Sequence, residues 1–223
     1  MKKIHFFFFL LILIQACQSE QRMDIAPTES GISKSLADHR KATISNINYQ
    51  LDFDIPKERD QPIVGKEVLT FDLSTDTANV VLDFDVPAEN IKSIAKNGSS
   101  MLIYFENGHL TIPKQHLVVG KNEFTIEFIA GEKALNRNDE FLYTLFVPAN
   151  AHTAFPCFDQ PNLKATYELS LSIPNEWKAV ANYNIKKEEK DGEKTFFQYD
   201  KTAPISTYSV SYTHLTLPTI CSV

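Results

Sequence analysis

From Ile44 onward the apolar residues of this chain recur with a period of two. That pattern constrains the fold more than any other feature. In residues 47–55 the apolar positions are Ile47, Tyr49, Leu51, Phe53 and Ile55, and the residues between them are Asn48, Gln50, Asp52 and Asp54. Successive side chains of a strand point to opposite faces, so such a segment has one dry face and one wet face. The same alternation returns at Leu69, Phe71 and Leu73, at Val80, Leu82 and Phe84, at Phe124, Ile126 and Phe128, and at Tyr167, Leu169, Leu171 and Ile173. Shorter apolar runs occupy 101–105 and 110–112, joined by Asn107-Gly108, a pair that suits a tight hairpin. Asp191-Gly192 marks a second hairpin. Strands at this spacing, with turn signals between them, predict an all-β fold. Each sheet must cover its dry face with another sheet, which gives an antiparallel β-sandwich. A short helix precedes it at 33–43, with Ser33 as its cap.

The first residues follow a different rule. MKKIHFFFFLLILIQAC has two lysines, an apolar run over 4–14, then Ala16 and Cys17. A spanning helix needs about 20 apolar residues, so this shorter run reads as an export signal. The ending Ile-Gln-Ala-Cys resembles a bacterial lipoprotein signal, in which Cys17 becomes the first residue and carries the lipid. Residues 1–17 are therefore expected to be leader and lipidation site. Residues 18–43 would be a polar tether with the short helix, and 44–208 the β domain. The chain would then be exported and lipid-anchored to a bacterial membrane, on the periplasmic side or at the cell surface. Residues 209–223 break the strand pattern. The run VSYTHLTLPT resembles the translation of a transposon-end adapter from sequencing libraries, so the native sequence is expected to stop near Tyr208 or Ser209.

The 223 residues carry a net charge of −6 and no lysine- and arginine-rich run with interleaved aromatics. Nucleic acid is excluded as a partner on that ground, because phosphate binding needs a basic face. None of the six histidines is followed by Glu, so the HExxH zinc helix is absent. There is no G-x-S-x-G elbow, P-loop or dinucleotide fingerprint. The alternating acids Asp52 with Asp54, and Asp83 with Asp85, read as a solvated strand face.

One cluster stands out, TAFPCFDQPNLKATY at 153–167. A nucleophilic cysteine needs a nearby cation or a helix N-terminus to lower its pKa. Phe155, Pro156 and Phe158 supply neither to Cys157, so packing is the expected role. His152 is five residues away, and nothing in the sequence orients it. Pro156 and Pro161 stiffen the segment, and Asp159 can accept hydrogen bonds from backbone N–H groups in a turn. The cluster reads as a rigid corner leading into a strand.

Phe155, Pro156, Cys157, Phe158, Asp159 and Pro161, followed by Lys164, Ala165 and Thr166, are similar to the FPCFDEP segment and following strand of zinc aminopeptidases of the aminopeptidase N type. PISTY at 204–208 also looks like that family. The resemblance covers about 36–208. It implies a saddle-shaped N-terminal β domain that packs on a thermolysin-like catalytic domain. That later domain would carry a G-x-M-E-N segment for the substrate's amine and an HExxH, with a later Glu, for zinc. The resemblance thus implies zinc and a peptide substrate for the full-length parent, and no catalytic or metal-binding residue in this chain.

Two positions depart from the family. Many members place Gln or Glu where this chain has Leu145, on the implied wall of the substrate cleft, and Leu cannot bond an ammonium. Many have Arg where this chain has His152, which makes fewer fixed hydrogen bonds. The competing reading is a self-contained, lipid-anchored β-sandwich that binds a glycan or a protein. A cysteine hydrolase built on Cys157 and His152 is the third.

Overall fold

The computed structural model describes residues 29–138 and 141–216. Helix α1 spans Lys34–Thr43. The strands are β1 (Ile44–Asp54), β2 (Val64–Leu73), β3 (Val80–Asp83), β4 (Ile91–Lys96) and β5 (Ser99–Ser100). Next come β6 (Tyr104–Glu106), β7 (His109–Ile112), β8 (Gly120–Ile129), β9 (Leu135–Arg137) and β10 (Phe141–Thr144). The last are β11 (Ala165–Pro174), β12 (Trp177–Ala181), β13 (Ile185–Asp191), β14 (Lys194–Tyr199) and β15 (Tyr212–Thr216).

One large sheet has the order β13-β14-β11-β1-β2-β8-β4-β5. Two smaller ones have the orders β12-β15-β10-β9 and β3-β7-β6. The all-β sandwich expected from the alternation is present, with the short helix in front of it. All strand pairs are antiparallel except β1 with β11. Parallel neighbours need a long crossover, and here residues 55–164, about half of the chain, run between them.

The strands exist because their inward residues share one core. Tyr49, Leu51, Phe53, Leu69, Phe71, Phe124, Ile126 and Phe128 of the large sheet are all buried, as the period of two requires. The small sheets lie on that same dry side. Phe53 of β1 stacks on Tyr212 of β15 at 5.4 Å, and Phe84, just past β3, meets Phe128 of β8 edge-on at 5.4 Å. Each such buried aromatic contributes roughly 1.5–3 kcal/mol relative to exposure.

Residues 212–216, expected to break the strand pattern, instead form β15 between β12 and β10, with Tyr212 buried. Two details differ from the alternation. Residues 101–103 are not strand, and Leu102 is 74% exposed, so the short run there narrows to β6. In β3 all four residues are buried, including Val81 and Asp83. The expected hairpins are in place. Asn107 and Gly108 turn with φ of 52° and 77°, the left-handed pair that a two-residue hairpin needs. Gly192 does the same between β13 and β14.

Candidate functional site

The FPCFD segment forms a corner at the junction of β3, β1 and the chain around residue 207. The corner begins after β10, where the Val147-Pro148 bond is cis and a short 3₁₀ turn covers Ala151–Thr153. Phe155, Cys157 and Phe158 then enter the core with no exposed surface. Pro156 is buried too, while Pro161 is exposed and starts the turn into β11. Cys157 and Asp83 exchange both backbone hydrogen bonds, at 2.8 and 3.0 Å, so the corner adds one rung to β3. The Phe158 N–H donates to the Tyr49 hydroxyl at 2.9 Å. Phe158 also lies edge-on to Phe71, and Phe155 to Tyr49 and Phe146.

Asp159 is the knot of the corner. Its Oδ2 accepts from the His152 backbone N–H at 3.2 Å and sits 2.6 Å from His152 Nδ1. Its Oδ1 accepts from the Thr207 hydroxyl at 2.6 Å. Ser206 donates to the Pro161 carbonyl at 2.7 Å. The PISTY segment is therefore tied to FPCFDQP by side chains. The imidazole that the sequence left unoriented is oriented by Asp159.

Behind Asp159 lies a buried ionic group that the sequence did not disclose. Arg40 of α1 donates to both oxygens of Asp83, at 2.8 and 2.7 Å, and to the Val81 carbonyl at 2.8 Å. Asp83 Oδ2 also accepts from the Asp159 N–H at 3.0 Å. His109 of β7 brings Nδ1 to 3.1 Å from Asp83 Oδ1. Burial works against the charge on Asp83, but His109 and Arg40 outweigh it and hold the carboxyl below its ordinary range. The Arg40 guanidinium also lies over the Phe158 ring at 5.6 Å.

The reading of Asp83 as part of a solvated face is therefore wrong, because β3 has no wet face. Its second face is covered by α1 and by the corner. Asp52 and Asp54 do remain exposed, as expected. The only hint to Asp83 was that Arg40 and His109 offered it possible partners far along the chain, and no local pattern pairs residues 43 apart.

Cys157 is a thiol in this setting. Burial is the main cause that pushes its pKa well above the usual value, and the charges of Asp159, Asp83 and Glu67 add to it. A thiolate nucleophile needs the opposite environment. His152 is committed to Asp159, so no Cys–His pair is assembled. The cysteine-hydrolase reading falls on this geometry.

Leu145 lies just outside the corner. It is 53% exposed, with its backbone N–H on the Ala134 carbonyl at 2.8 Å. Tyr143 and Val147 beside it are also exposed. Cys17 lies outside the described residues. Among the described residues, no three His, Cys, Asp or Glu side chains converge as metal donors.

Residues 45–209 match the family described as the Peptidase M1 N-terminal domain. Glutamyl aminopeptidase of Sus scrofa is 46% identical over 66 residues, which is 29% of this chain and 7% of that protein. Aminopeptidase M1 of Arabidopsis thaliana is 37% identical over 68 residues, 30% of this chain and 8% of that one. Probable aminopeptidase 1 of Sulfurisphaera tokodaii is 38% identical over 65 residues, 29% and 8% of the two chains. The matched segment thus spans less than a tenth of these relatives. The crystal structure of an M1 zinc metallopeptidase from Deinococcus radiodurans superposes with a TM-score of 0.67 at 15% identity. It covers 78% of this chain and 42% of that one, a likeness of fold. The corner, the sandwich and a family match over most of the chain agree, and the chain belongs to the Peptidase M1 N-terminal domain family.

Proposed function

We propose that this chain is the N-terminal β domain of an exported, lipid-anchored zinc aminopeptidase that releases N-terminal residues from peptides. The catalytic domain would be a separate part of the same protein, outside these 223 residues. The observation that carries the reading is the family match over 45–209, centred on a corner in which FPCFDQP and PISTY lock together.

The residues of this domain do not suit zinc. Among the described residues Asp83 is engaged by Arg40, Asp159 by His152 and Thr207, and the third buried carboxyl, Glu67, is not joined by two further metal donors, so no zinc donor set assembles. The metal would belong to the proposed catalytic domain, and no chemical step is assigned to this chain. Its role is mechanical. It would brace the catalytic domain and supply part of the cleft wall at Leu145, where an apolar side chain cannot hold the substrate's amine. Amine recognition would then rest on the catalytic domain. Cys17 would carry the lipid that holds the protein at the membrane.

The test is to express the complete reading frame of the gene without its leader. Release of the N-terminal residue from small peptides, abolished by a chelator and restored by zinc, is the expected result. The β domain alone should release nothing. A complete, folded protein that is inactive with zinc would overturn the proposal. For the anchor, Cys17→Ser in the exported protein should move it from the membrane fraction to the soluble one.

A further inference from the structure

The chain contains two Asn-Gly pairs, Asn97-Gly98 and Asn107-Gly108. Each is the turn of a two-residue hairpin, with φ of 51° and 76° in the first and 52° and 77° in the second. As local conformations the two are alike, but their surroundings differ.

Gly108 is held from several sides. Its carbonyl accepts from the Phe84 N–H at 2.8 Å, and Asp85 lies 3.7 Å from where a side chain would begin. Three residue pairs join β6 to β7 at this hairpin, and four more join β7 to β3. His109 and Leu110, which follow the turn, are buried. Gly98 is exposed, and a Cβ there would meet nothing within 4 Å. Its hairpin is held by two pairs, Ala95 with Ser100 and Lys96 with Ser99, and by the Met101 N–H on the Ile94 carbonyl at 2.9 Å. Strand β5 is the last of the large sheet, and both of its residues are exposed.

We propose that Asn97 is a site of spontaneous deamidation and that the fold protects Asn107 from the same reaction. The Gly98 backbone nitrogen, after losing its proton to base, attacks Cγ of Asn97. The new N–C bond closes a five-membered succinimide, and the side-chain nitrogen takes a proton from solvent and leaves as ammonia. Water then opens either carbonyl of the ring, which gives aspartate or isoaspartate. Nothing is oxidised or reduced, and water is the only co-reactant. Glycine suits the step because it has no side chain to hinder the approach.

The ring needs the Gly98 nitrogen on the same side as Cβ of Asn97, and the left-handed conformation of Asn97 holds the two apart. The turn must therefore open before it reacts. Opening breaks less at Asn97 than at Asn107, so local stability decides which one reacts. Aspartate keeps the turn, since Asp-Gly is favoured there as well. Isoaspartate lengthens the backbone by one carbon, between strands whose register the two-residue turn fixes. It would detach β5 and leave β4 as the open edge of the large sheet.

The test incubates the folded full chain in mildly alkaline buffer, beside the same chain unfolded in urea. Mass spectrometry of proteolytic peptides follows Asn97 and Asn107 separately. In the folded chain Asn97 is expected to convert at least about tenfold faster than Asn107, whereas in urea the two should convert at similar rates. Comparable rates in the folded chain would overturn the proposal. So would an Asn97 that stays intact in the folded chain while it converts in urea. A preference of the same size in urea would assign it to the neighbouring residues instead of the fold, and would overturn the proposal too.

Discussion

Glu67 is a carboxyl group in the wrong medium. It stands on β2 between Leu51 and Ile126, fully buried, and neither of its side-chain oxygens has a hydrogen-bond partner among the described residues. Burial pushes its pKa well above the usual value. In the unfolded chain Glu67 ionises near pH 4.5, whereas in the folded domain it keeps its proton to higher pH. Stability must then fall as pH rises above about 4.5, by at most about 1.4 kcal/mol per unit, until the folded group ionises. Glu67→Gln should remove that slope, and urea titrations at pH 5 and pH 7 measure it. Equal slopes in both proteins would refute the assignment. Arg40 is the opposite case at the same scale, a buried charge with every partner it needs except at Nε. Removing one member of such a pair is usually far costlier than replacing the whole pair. Neither residue could be sorted from the sequence, where Glu67 sat among alternating strand residues and Arg40 on a helix with little apolar surface.

The elements show how local signals and packing divide the work. Ser33 caps α1 through a hydrogen bond from the Leu36 N–H at 3.2 Å, as its place before the helix suggests. The helix has only Arg40 buried, so the ionic group holds it more than an apolar stripe does. In β2 and β8, Gly65 stands opposite Phe128, and the ring lies over the glycine. A Cβ there would come within 2.4 Å of the Phe128 ring. Phe128 also meets Phe53 and Phe84, so it has little room to move. Gly65→Ala should destabilise the domain by about 1–3 kcal/mol, the usual cost of overpacking. The expected sign is a lower urea midpoint with an unchanged m-value; an unchanged midpoint would show that the ring yields freely. The edge strand β13 carries the charged run KKEEKD on exposed positions, which protects that edge from pairing with other chains.

At the scale of the molecule, the sheet β12-β15-β10-β9 has one face in the core and one outside. Tyr143 and Val180 stand in one row through Thr213, and Leu145 and Val147 follow along the chain. These four are 41%, 58%, 53% and 57% exposed. Exposed apolar side chains grouped on one sheet and the chain that follows it mark an interface or an aggregation liability. The chain by itself should self-associate through it. Replacing Leu145 and Val180 together by Glu should return a monomer in analytical ultracentrifugation. A wild-type chain that is already monomeric at high concentration would show that this face needs no cover.

The alternation alone determined that the chain is a β-sandwich, and the turn pairs placed two of its hairpins. The reason is that strand faces and tight turns are set by neighbours two or three residues apart. The corner was legible as a rigid turn because proline and aromatic residues act locally. What the tertiary structure alone decided is the electrostatics. Arg40, Asp83, His109, Asp159 and Thr207 come from five separate places in the chain and meet in one buried set of hydrogen bonds and ion pairs. Ion pairing is set by distance in space and by exclusion of water, and neither has a period that a sequence can display.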